Sequence, residues 1–139
     1  MSQVYVATGF LMHEPTRQIL LHLRDSKAPQ NPDRWAFFGG RAEPEDAGDP
    51  LQTWVREMAE ELGIAIERST ACEVRRYVMP NGLLRVVFCY PWPDRRMDFV
   101  LGEGAGFAWF DLAAALALPN LTDPTREDLD YLARTPLFA

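Results

Sequence analysis

The stretch Arg56-Glu57-Met58-Ala59-Glu60-Glu61-Leu62-Gly63-Ile64 (REMAEELGI) closes the best-delimited helix in the chain. Upstream, Asp49-Pro50 supplies an N-cap acceptor and a proline whose fixed φ suits the first helical turn, and Gly63 is the favoured residue just past a helix end. These caps predict a helix over residues 50–62. Leu51, Val55, Met58 and Leu62 recur at helical spacing, forming one apolar stripe that has to bury against a sheet. At about 100° per residue, Glu57, Glu60 and Glu61 fall away from that stripe. There they conflict: Glu57 and Glu61 are a like-charged i,i+4 pair costing about 0.2–0.5 kcal/mol, and the helix dipole disfavours anions in this half. A solvated acidic face is the plain alternative, but a face built only for solubility would carry lysines here. A hard divalent cation removes the conflict, because Mg²⁺ takes oxygen ligands and is commonly held by a few carboxylates together with substrate phosphates.

Outward from the helix, the text alternates strands and turns. Residues 3–12 are β-branched and aromatic, residues 13–16 (HEPT) supply a turn, and residues 18–24 (QILLHLR) read as the returning strand of a hairpin. Residues 25–34 carry two prolines and no hydrophobic periodicity, so they form a loop, and loops of that length are often functional. A short aromatic strand, WAFFGG (35–40), leads into the acidic loop RAEPEDAG (41–48). Beyond the helix, residues 71–79 and 83–92 flank Pro80-Asn81-Gly82, whose Asn-Gly pair favours a two-residue hairpin turn. GFAWF (106–110) is a further strand, Asp111 caps a short helix over 112–118, and Asp123-Pro124 opens a last helix to about Arg134. Hairpins mixed with helices predict an α+β layered sandwich rather than a parallel βαβ fold.

Composition narrows the function. With 139 residues, 47% of them hydrophobic, and no repeat or break in composition, one globular domain over 1–139 is expected. No apolar run approaches a membrane span of about 18 residues and the N-terminus lacks a signal-peptide pattern, so a cytoplasmic protein is expected. The net charge is −6 with scattered cations, which excludes a nucleic-acid polymer as partner but leaves room for a single nucleotide carried in with cations. Cys72 and Cys89 lie in strand-like runs and read as reduced core thiols. His13 and His22 have no metal-ligand spacing, so a metal would need oxygen ligands.

REMAEELGI resembles, position for position, the second half of the Nudix box: a glycine, five residues, a glutamate, seven residues, then R-E-U-x-E-E-x-G-U, with U bulky and aliphatic. Arg56, Glu57, Met58, Glu60, Glu61, Gly63 and Ile64 match, and Gly40 supplies the leading glycine, with Phe38 where proline is common. The first half departs from the pattern. Fifteen residues separate Gly40 from Arg56 where the pattern has thirteen. Counting from Gly40 places Asp46 at the first acidic position and counting back from Arg56 places Gly48 there, so Glu45 or Asp46 takes the role. Further on, Glu103-Gly104 and Trp109 reproduce the E-G-x-x-x-x-W context in which MutT-like relatives place another metal-binding glutamate.

The resemblance implies an α/β/α sandwich with a mixed central sheet and Mg²⁺-dependent hydrolysis, with Mn²⁺ as an alternative, of a nucleoside diphosphate linked to a group X, of the nucleoside triphosphate or nucleotide sugar class. A non-catalytic nucleotide-binding module is the alternative. By resemblance, Glu57, Glu60, Glu61 and Glu103 are metal ligands together with the Gly39 carbonyl, and Glu57, Glu60 or Glu103 is the base. Arg56 orients a box carboxylate, while Arg24 and Gly40 are substrate-binding positions. Thr122 stands where MutT-like enzymes carry an asparagine that reads an oxidised purine, which argues against that substrate. Phe10, Trp35, Phe37 and Phe107 could stack on a base but read better as core. A homodimer is expected because dimers are common in such families.

Overall fold

The computed structural model describes residues 4–94, 99, 102 and 104–138. Glu103 and the pair Arg95-Arg96 lie outside the described residues. At the centre runs β1 (Tyr5–His13), parallel to β6 (Leu84–Trp92) from Tyr5↔Leu84 to His13↔Trp92. β6 continues antiparallel into β5 (Cys72–Val78). Two strands share the other edge of β1: β4 (Phe38–Arg41) pairs antiparallel with Val6 to Gly9, and β2 (Ile19–Leu23) meets β1 at Met12↔Ile19. β2 is then occupied by β3 (Trp35–Ala36) and β7 (Gly106–Phe110), both antiparallel. The sheet is therefore mixed, and the anticipated first hairpin parts after one registered pair because its second strand has two other partners.

Side-chain alternation along these strands builds two cores. On one face Tyr5, Ala7 and Leu11 join Leu84, Val86 and Phe88 against Trp54, Met58 and Leu62 of α1 (Pro50–Leu62). On the other, Phe10, Met12, Val87 and Cys89 pack with Ala115 of α2 (Leu112–Leu116) and with Leu129 and Leu132 of α3 (Asp123–Ala133). Helices thus cover both faces, giving the expected α/β/α sandwich. The caps of α1 form as its sequence dictates: Asp49 Oδ1 accepts from the Leu51 N–H at 3.1 Å, and Gly63, at φ 68°, donates to the Ala59 carbonyl. The largest fully buried side chain of the molecule, Trp54, also sits on α1, beside the predicted stripe and stacked on Phe88 with ring centroids 5.5 Å apart.

Local expectations are corrected in four places. WAFFGG is split, with Phe37 falling between β3 and β4. The β5–β6 connection is a three-residue loop: the Met79 N–H donates to Leu83 O, the Gly82 N–H donates to Met79 O, and only Gly82 takes positive φ, whereas a two-residue turn of this type needs it at Asn81 as well. Cys89 is buried, its thiol pushed up to about 12 by burial, but Cys72 is exposed on the edge strand. The helix after Asp111 ends at Leu116 rather than at residue 118, while α3 opens at Asp123 as anticipated, with Thr122 as its N-cap. Among the described residues no helix is long and apolar enough to cross a membrane.

Candidate active site

The site is organised around Arg56. One turn of α1 earlier, Thr53 receives the buried Tyr5 hydroxyl at 2.7 Å and donates its own to Asp46 Oδ2 at 2.7 Å. Asp46 ends a 3₁₀ turn over Pro44–Asp46, and the Glu43 N–H caps the same oxygen at 3.0 Å. Arg56 grips this carboxylate with two nitrogens, Nε to Oδ1 at 3.1 Å and Nη2 to Oδ2 at 3.0 Å. Its remaining nitrogen, Nη1, donates to Glu57 Oε1 at 3.0 Å and reaches Glu60 Oε2 at 3.5 Å. The guanidinium is a rigid fork, so fixing one edge on Asp46 aims the other at the box carboxylates. The Arg56 fork holds the Asp46 carboxyl down to about 2, with the Thr53 hydroxyl and the Glu43 amide adding to it against the cost of burial. Asp46 in turn raises the guanidinium above its ordinary range.

This geometry separates the two acidic candidates in the enlarged loop. Asp46 is 2% exposed and bound to Arg56, whereas Glu45 is exposed. After Asp46, Ala47 (φ 54°) and Gly48 (φ 74°) turn the chain through left-handed conformations into Asp49.

Glu57 and Glu61, one turn apart, line a cavity of about 450 Å³. Gly40 on β4 makes room for the first: a Cβ there would collide with the Glu57 carboxylate. Gly39 lines the same cavity. Glu61 does not face solvent as the helical wheel implied. It is 6% exposed, its Oε1 lies 3.9 Å from Nδ1 of the buried His22, and His22 stacks on Phe38 at 4.8 Å. The Gly102 N–H donates to the Glu61 carbonyl at 2.9 Å, tying the end of α1 to the segment before β7. Glu60 is exposed and stands outside the cavity lining. Among the described residues no group of three or more histidine, cysteine, aspartate or glutamate side chains comes together as a metal cage.

The lining also carries Arg24, Arg41 and Arg85. Arg24 is held at the mouth of the 25–34 loop, its N–H on the Arg34 carbonyl at 2.9 Å and its Nε on the Gln30 carbonyl at 2.8 Å. Thr122 also lines the cavity and donates to Thr125 Oγ1 at 2.7 Å. Phe10 and Phe37 are buried core residues, and Trp35 and Phe107 pack partly buried against the cores. Sequence reasoning missed His22 and Arg85. His22 has no sequence signal, since its partner Glu61 is distant in the chain. Arg85 does have one: it is the lone charge in the apolar run 83–92.

Comparison with known proteins agrees with this geometry. The family description NUDIX domain matches residues 4–132. Among solved structures, the E. coli ORF135 protein superposes with a TM-score of 0.65 at 26% identity, covering 98% of this chain and 96% of that one. A MutT NUDIX hydrolase from Burkholderia pseudomallei gives 0.60 at 27% identity, covering 94% and 98%. The fold is also similar to that of E. coli dihydroneopterin triphosphate pyrophosphohydrolase, with a TM-score of 0.71 at 20% identity over 91% and 92% of the two chains. No curated protein matches by sequence. With Glu57 and Glu61 on the cavity wall and the family match spanning both cores, the chain belongs to the NUDIX domain family and is a Nudix pyrophosphohydrolase.

Proposed function

We propose that the protein, a single domain acting in the cytoplasm, is a Mg²⁺-dependent hydrolase, also served by Mn²⁺, that cleaves a nucleoside diphosphate linked to a group X. The observation that carries this reading is the juxtaposition of Glu57 and Glu61 with Gly39, Gly40 and Arg24 around one cavity of nucleotide scale. The donor set suits the ion. Mg²⁺ keeps several waters and is usually bound through one or two carboxylates plus substrate phosphates, so a protein cage of three ligands is not required. In this reading Glu57 and Glu61 hold the metal, with Glu60 and Glu103 and the Gly39 carbonyl completing the set. Bound Mg²⁺ supplies charge stabilisation at the phosphoryl oxygens.

The chain's own residues supply the rest. Arg56, anchored on Asp46, holds Glu57 in one orientation through its 3.0 Å bond and so acts as a positioning residue. The base that takes the proton of the attacking water is Glu57, Glu60 or Glu103. Arg24 offers charge to a phosphate at the cavity edge. An acidic protein of net charge −6 repels a polyphosphate, which makes the cation part of binding as well as of turnover. A hydrolysis screen over nucleoside triphosphates, nucleotide sugars, ADP-ribose and dinucleoside polyphosphates, with Mg²⁺, Mn²⁺ or chelator, tests the proposal. Metal-dependent product release from at least one class is expected, and binding without turnover across the panel would instead favour a sensor.

A further inference from the structure

The cavity is polarised, and its basic end has a defined chemistry. Arg85, 7% exposed, lines the cavity from β6. Its Nε and Nη2 both lie 2.7 Å from Oδ2 of Asp128, which is fully buried on α3. The other oxygen of Asp128 is occupied by Arg75, whose Nη1 donates to it at 2.8 Å. Arg75 is itself wedged against aromatic rings, 3.8 Å from the Tyr77 centroid and 4.6 Å from that of Tyr131. Arg75 also reaches the exposed Glu127 Oε1 at 3.3 Å, so two guanidinium groups meet two carboxylates, and the buried Asp128 is divided between both arginines.

The anchoring also fixes which atoms stay available. Asp128 takes the side edge of the Arg85 guanidinium, Nε with Nη2. The end edge, Nη1 with the outer hydrogen of Nη2, keeps two parallel donors, and Nη1 has no partner among the described residues. The sheet register places this fork relative to the acidic wall. Arg85 on β6 and Arg41 on β4 both pair with Val6 of β1, so Arg85 lies two strand spacings from β4, about 10 Å. Glu57 sits at Gly40 on that same β4. A ribose and base span such a distance when the phosphates lie with the carboxylates.

We infer that Arg85, locked by Asp128, reads the base of the substrate through a paired-acceptor edge, as guanine offers with O6 and N7 and cytosine with O2 and N3. The inference rests on the nucleotide reading above and names the base class within it. Adenine is disfavoured because its exocyclic amine presents a donor to a donor. A bidentate arginine contact of this type discriminates by roughly tenfold to a hundredfold.

Equilibrium binding of GMP, CMP, AMP and UMP to the protein in the presence of Mg²⁺ tests this without requiring turnover, so failure to hydrolyse any substrate would count against the proposed function and not against this inference. GMP or CMP is expected to bind at least about tenfold more tightly than AMP, and the pair identifies which base is read. Arg85→Lys keeps the charge but removes the fork, so it should collapse that ratio toward one. Asp128→Asn, which frees Arg85 to turn while retaining it, should narrow the ratio as well, with circular dichroism checking that each variant is folded. Equal affinity for AMP, an unchanged ratio in folded Arg85→Lys, or no binding of any monophosphate would overturn the inference. An equal loss for all four bases in that variant would mark Arg85 as a phosphate contact instead and overturn it too.

Discussion

At the scale of single residues, the account turns on Asp46 and Arg56. The adjacent glutamates of REMAEELGI raise the question of a compensating charge, and part of the answer is Arg56 itself, bonded to Glu57 and reaching Glu60. Asp46→Asn removes one charge from the pair that orients it, so turnover is expected to fall by about tenfold to a hundredfold, the usual cost of losing such a support. Glu45→Gln, at an exposed position, should leave turnover near wild type, and steady-state kinetics on the two variants separates them. The Asp46 carboxyl also has a pH signature. Its folded-state pKa is depressed to about 2 by Arg56, so the unfolded chain binds the proton more readily. The stabilisation is fully present above about pH 4 and is lost as pH falls toward 2. Because its partner Arg56 is partly exposed and screened by solvent, its size is set at about 1–2 kcal/mol. Denaturant titrations between pH 5 and 2 should show that loss in the wild type and a flatter profile in Asp46→Asn.

At the scale of elements, α1 bridges core and cavity. Trp54→Ala should cost about 3–5 kcal/mol, measured by urea unfolding, because the indole is fully buried between the sheet and the helix. Gly40→Ala should do the opposite kind of damage: a methyl at that position displaces the Glu57 carboxylate, so turnover falls more than stability does. The helix was legible in its sequence because its signals are local: Asp49, Pro50 and Gly63 cap it within one chain segment, and the strands reveal themselves by alternation. What was not legible depends on partners distant in sequence. The burial of Glu61 comes from His22 on β2, and no helical wheel contains that strand. The place of Asp46 depends on the fold of the acidic loop, where Ala47 and Gly48 take left-handed conformations, a matter of backbone conformation rather than residue count. Arg85 was visible as a charge in an apolar strand, but its meaning appears only when α3 brings Asp128 beneath it.

At the scale of the whole molecule, Glu57 and Glu61 of the acidic helix share one cavity with Arg24, Arg41 and Arg85. The account accordingly treats Mg²⁺ and nucleotide as one ligand. Each alone should stabilise the protein weakly, and both together by more than the sum, as differential scanning fluorimetry over a concentration series would show. The most direct test of the central claim compares Mg²⁺-dependent turnover of the best substrate by wild type and by folded Glu57→Gln. The account predicts that the substitution lowers kcat by at least about a hundredfold and that turnover by the wild type ceases with chelator. Equal rates in the two proteins, or wild-type turnover indifferent to chelator, would contradict it.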